Sequence, residues 1–270
     1  MSDNYYRECQ GINMLKIHPT AIIANPEMIP GSVTVGPYAI IENDVTIGEN
    51  VWIDSHVSIK SGARIGPNCK FFHGGAIAGP PQDLKYAGEK TELIIGANNI
   101  FREFVTLNRG TTASGRTIIG DNCLLMAYVH VAHDCRIGSN VVIANTVEMG
   151  GHVEIGDYAT IGGGTVIHQF CHIGEHSMIG GGFKVAQDVL PFSLNGGHPL
   201  KCVGLNSIGL KRRDFSHQTR AKLKMVFFFL LSSGLKTSEA VKKIEDEIEP
   251  IPEVKRIVEF IRISERGVVK

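Results

Sequence analysis

The stretch VHVAHDC, Val129 to Cys135, holds two histidines three residues apart, the second followed at once by an aspartate. Imidazole titrates near neutrality, so His130 and His133 are able to move a proton, ligate a metal or contact a polar ligand. Asp134 can orient the neighbouring imidazole and stabilise its protonated form. The same residues could instead face a core or stand idle in solvent. The choice depends on the elements that hold these side chains and on what those elements bring beside them.

Those elements repeat with a period of six. An aliphatic residue, Met or Phe stands at every sixth position from Ile17 to Ile77, again at Ile95, Phe101 and Leu107, and again from Ile119 to Val185. The second place of the hexad is often Gly, as in VGPYAI, IGENVW, IGPNCK and IGDYAT, and the expected use of that Gly is to permit a turn. The fifth place is mostly small or β-branched: Ala39, Val45, Val51, Ala63, Val141. This is the signature of a left-handed parallel β-helix. The first residue points into a triangular prism, the fifth fills the remaining space, and three hexads make a coil. About nine coils are expected. Cys69, Cys123, Cys135 and Cys171 all occupy the fifth place and read as interior fillers rather than reactive thiols.

Two gaps in the period mark excursions, near 79–90 (GPPQDLKYAGEK) and within 108–116 (NRGTTASGR). Counted from the Ile that begins each coil, both leave at the offset occupied in later coils by His133, Gly151 and Gln169, with His152 and His168 one place to either side. One edge of the prism therefore carries both loops and three histidines in consecutive coils. His130 lies slightly round the corner. Turn positions of a β-helix accept His freely, and His56 and His176 read as solvent-facing residues of that kind. Three histidines beside two excursions point instead to a site.

Composition narrows the class. Lys+Arg and Asp+Glu number 27 each, so no overall field calls for nucleic acid or a membrane surface. Residues 211–270 hold 14 of the basic and 9 of the acidic groups, which leaves that segment basic. Its cluster of Lys211, Arg212, Arg213, Arg220, Lys222 and Lys224 suits phosphate or an acidic protein. The opening MSDNYYRECQGIN is polar, unlike a signal peptide, and Met14 is a second candidate start. The apolar run MVFFFLLSS is too short to span a bilayer, so a soluble cytoplasmic protein without stable membrane insertion is expected. Six cysteines without CxxC spacing argue against a zinc ribbon or a disulfide scaffold.

The repeat stops after Val189. PFSLNGGHPLKCVGLNS reads as a loop, and three helices follow: one capped by Ser216, one capped by Thr237 or Ser238, and one opened by Pro252 with Gly267 past its end. Residues 1–196 thus form the β-helix and 197–270 a helical domain closing its open end, with Phe227, Phe228 and Phe229 as the packing face.

The motifs HPTAII, QDLKYAGE, HVAHDC, GGHVEIGD, VIHQFCHIG, KVAQDV and GLKRRDF together resemble the acyl-carrier-protein-dependent UDP-N-acetylglucosamine O-acyltransferases of lipid A biosynthesis. The resemblance runs from His18 to the end. It implies transfer of a 3-hydroxyacyl chain from acyl carrier protein to the sugar 3-position, which bears oxygen or, in an analogue, a 3-amino group. It implies His133 as general base, Asp134 as its partner and the Gly151 N–H as oxyanion donor. It also implies that Asp83, Lys85, His130, His152, His168, Gln169, Asn206, Arg212 and Arg213 contact the sugar nucleotide and that Gly181 lines an acyl groove. A homotrimer with sites between subunits is implied too, without metal or cofactor. The chain departs from the family at Asp214, where GLKRRGF has Gly, at the spacing around His198, and at Phe183 and Lys184. Two competing readings are a zinc β-helix of the γ-carbonic-anhydrase class, whose chemistry does not need QDLKYAG or a basic helical tail, and a non-catalytic scaffold, which would leave the edge histidines dispensable.

Overall fold

A computed structural model describes residues 16–270; Cys9 and Met14 lie outside these residues. The chain winds as a left-handed parallel β-helix followed by four helices. Two- to five-residue strands stack into three sheets of nine, seven and ten strands among the described residues. The first sheet runs from Ile22–Ile23 to Lys184–Val185, the second from Val45–Ile47 to His172–Ile173, and the third from Thr34–Val35 to Lys201–Leu205. Register advances by 18 residues per coil, as in His130↔Glu148↔Val166. It advances by 30 from Arg64 to Ile94 and by 24 from Ile94 to Ile118, where the two excursions are absorbed.

The first-place residues form the core, with Ile53, Phe71, Leu125, Ile143 and Ile179 fully buried. Burying each such side chain stabilises the fold by roughly 1.5–3 kcal/mol. The fifth-place cysteines are buried among them, and burial pushes the Cys135 thiol up to about 12. Such a thiol is a poor nucleophile at neutral pH.

The second-place glycines do not make the turn. The left-handed conformation falls on the fourth place, at Asn50, Asn68, Asn98, Asn122, Tyr128, Asp134, His152 and Phe170. The glycines are needed because the next coil passes too close: a Cβ at Gly48 would lie 2.6 Å from Pro67 N, and one at Gly66 2.6 Å from Gly96 O. Neighbours in the next coil steady the fourth-place residues. Asn50, Asn68, Asn98 and Asn122 form an amide ladder with steps of 3.1–3.2 Å.

The end of the chain differs from expectation in four ways. The segment after Val189 is a hairpin rather than a loop: Ser193–Gly196 joins the third sheet beside Met178–Ile179 and pairs antiparallel with Lys201–Leu205. The sheet therefore continues past residue 196. There are four helices, α1 (Ser207–Arg212), α2 (His217–Leu231), α3 (Thr237–Glu247) and α4 (Pro252–Ile263). The short α1 escapes notice because Gly209 weakens its helical pattern. Ser216 caps α2 by accepting from Thr219 N, as expected. Thr237 is already helical in α3, where the N–H of Lys236 donates to Glu239. Phe227 and Phe229 pack inward, whereas Phe228 is exposed. No helix among the described residues is long and apolar enough to cross a membrane.

Candidate active site

The chain passes from sheet one to sheet two round a first edge, from two to three round a second, and from three back to one round a third. Ala132, His133 and Asp134 turn the first edge. One coil on, Gly150, Gly151 and His152 turn it, and a coil later His168, Gln169 and Phe170 do so. Each coil presents its third- and fourth-place residues outward here, so side chains 18 residues apart meet. The rings of His133 and His152 lie 5.4 Å apart nearly at right angles, and His152 stacks on Phe170 at 4.6 Å.

His133 Nδ1 lies 2.8 Å from Asp134 Oδ2. Asp134 is buried and collects further donors: Thr111 N at 3.0 Å, Thr111 Oγ1 at 2.7 Å and the Ser114 hydroxyl. Burial alone would raise its pKa. The hydrogen bonds from Ser114, Thr111 and His133 outweigh that and hold the carboxyl at about 2. An ionised carboxylate only accepts, so His133 Nδ1 must donate, and Nε2 is left as the basic nitrogen. The Cε1 edge of the ring, with Nε2 beside it, faces Gly151: a Cβ on Gly151 would fall 2.5 Å from Cε1 and 2.8 Å from Nε2. The Gly151 N–H donates to no protein acceptor among the described residues. A proton-accepting nitrogen and a backbone donor without a protein acceptor thus stand on adjacent coils of one edge, the two kinds of group that acyl transfer requires.

His152 Nε2 stands 3.7 Å from Asp134 Oδ2, beyond a hydrogen bond. Ligand atoms of His133, Asp134 and His152 lie within 4.8 Å of one another. In this arrangement Asp134 Oδ2 is already hydrogen-bonded to Thr111 and His133. His168 is not in that group; its Nδ1 lies 2.9 Å from Gln169 O. One copy of the chain therefore does not assemble the three imidazoles of the zinc reading.

His130 projects from the outer face of sheet one, bonded to Thr106 Oγ1 at 2.7 Å. Burial lowers its pKa; the charge of Glu148 opposes that and a protonated His133 reinforces it. Asp83 and Lys85 lie in the first excursion, where Asp83 Oδ1 accepts from Lys85 N at 2.9 Å. Arg109 pins this loop through Tyr86 Oη at 2.7 Å and Ala78 O at 3.0 Å.

The remaining candidates sit elsewhere. Asn206 caps α1, accepting from Gly209 N at 3.1 Å and donating to His176 O at 2.9 Å. It is followed by Arg212, exposed, and Arg213, whose guanidinium lies 5.2 Å over the Tyr158 ring on the second edge. Burial lowers the Arg213 pKa. Gly181 lies on the third edge, packed over the backbone of Gly163. The thirteen candidates thus spread over the first edge and its excursion, the adjoining face, the α1 helix beside the second edge, and the third edge. His176 is not an idle turn residue: its ring is sandwiched between Tyr158 at 4.7 Å and Phe192 at 5.6 Å. In the basic segment, Lys222 is tied to Glu249, and Arg220 Nε donates to Phe215 O at 3.1 Å. Thr111, Ser114 and Thr117 were missed; their one signal is the run of hydroxyls in TTASGRT.

Residues 188–269 match the model of "UDP N-acetylglucosamine O-acyltransferase, Domain 2", and residues 44–71 and 116–151 match the bacterial transferase hexapeptide model. The acyl-[acyl-carrier-protein]–UDP-N-acetylglucosamine O-acyltransferase of Chlorobaculum parvum is 51% identical over 94% of this chain and 97% of its own length. That of Thermodesulfovibrio yellowstonii is 46% identical over 95% and 100%. The chain belongs to this family. Among solved structures of the UDP-N-acetylglucosamine acyltransferases, that from Acinetobacter baumannii superposes with TM-score 0.91 at 40% identity, covering 95% of this chain and 100% of its own. That from Campylobacter jejuni gives 0.88 at 38%, covering 94% and 99%. The acyltransferase family carries the same prism and helical end, so acyl transfer is the chemistry of this chain.

Proposed function

We propose that the first edge transfers an acyl chain from acyl carrier protein to the 3-hydroxyl of UDP-N-acetylglucosamine, opening lipid A biosynthesis in the cytoplasm, with His133 as general base. A sugar hydroxyl is a weak nucleophile at neutral pH. His133 Nε2 takes its proton as the oxygen attacks the thioester carbon. The Gly151 N–H donates to the oxyanion that forms. When the intermediate collapses the C–O bond stays, the C–S bond breaks, and the imidazolium returns its proton to the departing thiolate. Asp134 stabilises the imidazolium between the two steps. The observation that carries this reading is the pairing of His133 with an ionised, buried Asp134 directly over Gly151.

The acceptor's diphosphate calls for Arg or Lys, and Arg212 and Arg213 fit that need. They lie beside the second edge and Gly181 lies on the third, so a complete site would draw on neighbouring copies. A closed trimer of prisms with each site between two copies supplies that arrangement. Asp83, Lys85, His130, His152, His168, Gln169 and Asn206 remain sugar-nucleotide contacts in this reading. Asp214, in left-handed conformation with φ 59°, keeps the backbone that Gly would adopt, at the cost of a negative charge beside the arginines. Mass spectrometry of the product from acyl-carrier-protein thioesters and UDP-sugars tests the reading. The expected product is the 3-O-acyl sugar nucleotide with release of free carrier thiol. Thioester hydrolysis without sugar acylation would contradict it.

A further inference from the structure

The structure assigns a task to the second excursion: we infer that the hydroxyls of Thr111 and Ser114 are positioning residues that direct the Asp134 carboxylate to His133 rather than to His152. This rests on His133 being the base.

The need for a director is visible at Asp134 Oδ2. Two imidazoles compete for that oxygen, His133 Nδ1 at 2.8 Å and His152 Nε2 at 3.7 Å. Both rings sit on the same edge, within reach of the same oxygen. A carboxylate drawn to His152 would leave His133 Nδ1 without its acceptor, and the ring could then turn or take the other tautomer. The excursion holds the carboxylate in place with three donors. Thr111 Oγ1 donates to Oδ2 at 2.7 Å and Thr111 N to Oδ1 at 3.0 Å, while the Ser114 hydroxyl is bonded to Oδ1. Ser114 Oγ also lies 2.8 Å from Arg116 O. Its single proton serves one acceptor at a time, and the buried carboxylate is the stronger. A third hydroxyl, Thr117 Oγ1, accepts from Asp134 N at 2.9 Å and fixes the backbone.

The loop is shaped to deliver these groups. Gly115 N closes onto Thr111 O at 2.8 Å, and Gly110 packs so closely on Arg116 that a Cβ there would lie 2.3 Å from Arg116 N. Six residues beyond the ordinary coil thus place two hydroxyls and an amide on one buried carboxylate. The charged and titratable groups around the pair are His152 on the next coil and His130 on the adjoining face, itself facing Glu148.

The test compares Thr111→Val, Ser114→Ala and the double variant with Thr111→Ser, using pH–rate profiles. Removing both hydroxyls should lower kcat roughly tenfold or more, since each lost bond to a charged group weakens the hold on the base. KM for the UDP-sugar should change little. The acid limb of kcat should move to lower pH, because an imidazolium without its carboxylate loses its proton more readily. Thr111→Ser should restore both readings. Ser114→Ala lies in a partly exposed turn and leaves Thr111 in place, so it reports even if Thr111→Val folds poorly. The double variant, or Ser114→Ala alone if the double variant does not fold, would overturn the inference by keeping wild-type kcat and acid limb. Asp134→Asn separates the two readings. If Asp134→Asn moves the limb and the hydroxyl variants do not, the hydroxyl clamp is wrong and the base stands. If Asp134→Asn also leaves the limb unmoved, the pairing of His133 with Asp134 fails.

Discussion

At the scale of single residues, Gly151 is the position where the account is most exposed to a small change. Its φ is not in the left-handed range, so alanine suits the backbone. The obstacle is the imidazole: the added Cβ would meet His133 Cε1 at 2.5 Å and Nδ1 at 3.0 Å. The ring must then leave Asp134 or tilt away from the acceptor. Displacement of a base by about 1 Å can cost on the order of 100-fold in rate. Gly151→Ala should therefore lose about that much kcat while its melting temperature stays close to wild type, and equal loss of both would instead mark a folding defect. The residues of this edge were legible because the hexad numbering alone predicts which side chains share a corner. His133, Gly151 and Gln169 fall at one offset, and the structure places them there. The hydroxyls of Thr111 and Ser114 were not legible, because they sit in an excursion that has no phase. His133 and Gly151 could be paired from their count, but Ser114 could be paired with Asp134 only from coordinates.

Among the elements, the junction between the prism and α1 hangs on His176. Its carbonyl accepts from Asn206 at the α1 cap, and its ring touches Phe215 beyond α1, 5.0 Å away. Burial, aided by the charge of Arg213 and opposed by Asp157, lowers its pKa to about 4. The unfolded value is about 6.5, so the unfolded chain binds the extra proton first. No penalty exists above that pH; stability is lost as pH falls from about 6.5 toward 4. Denaturant unfolding of His176→Phe across this range should show a shallower loss than wild type, since Phe keeps the stack and cannot titrate. Parallel curves would remove His176 from the balance. Here too the sequence was partly readable. Ser216 and Pro252 announce their helices by capping chemistry. The hairpin 193–205 and α1 were hidden, because NGGHP reads as loop and Gly209 interrupts SIGLKR. Aromatic residues in left-handed turns, such as Tyr128, Phe170 and Phe192, also defy local propensity. They are held by rings stacked in the adjacent coil, a contact 18 or so residues away.

For the whole molecule, the spread of candidates over separate edges becomes a statement about assembly. If each site takes His133 from one copy and Arg213 from its neighbour, inactive chains should complement each other. Co-assembly of equal amounts of His133→Ala and Arg213→Ala chains should restore roughly a quarter of the sites, those that happen to receive both intact residues. No recovery in verified mixed trimers would mean that both residues serve the same copy's site. The repeating coils of the prism were legible, since a period of six held in phase over most of the chain admits few other folds. Which edges of separate prisms meet was not, because contacts between copies leave no period within one chain.

The central claim is that His133 is the base. The most direct measurement is the pH dependence of kcat for acyl transfer to UDP-N-acetylglucosamine in wild type and His133→Ala. General-base catalysis contributes about 10²–10⁴-fold, so the variant should lose at least that much kcat, with binding of the UDP-sugar preserved. The acid limb set by the base should vanish as well. A variant that keeps most of its kcat, or keeps the same acid limb at a lower rate, would show that another group takes the proton.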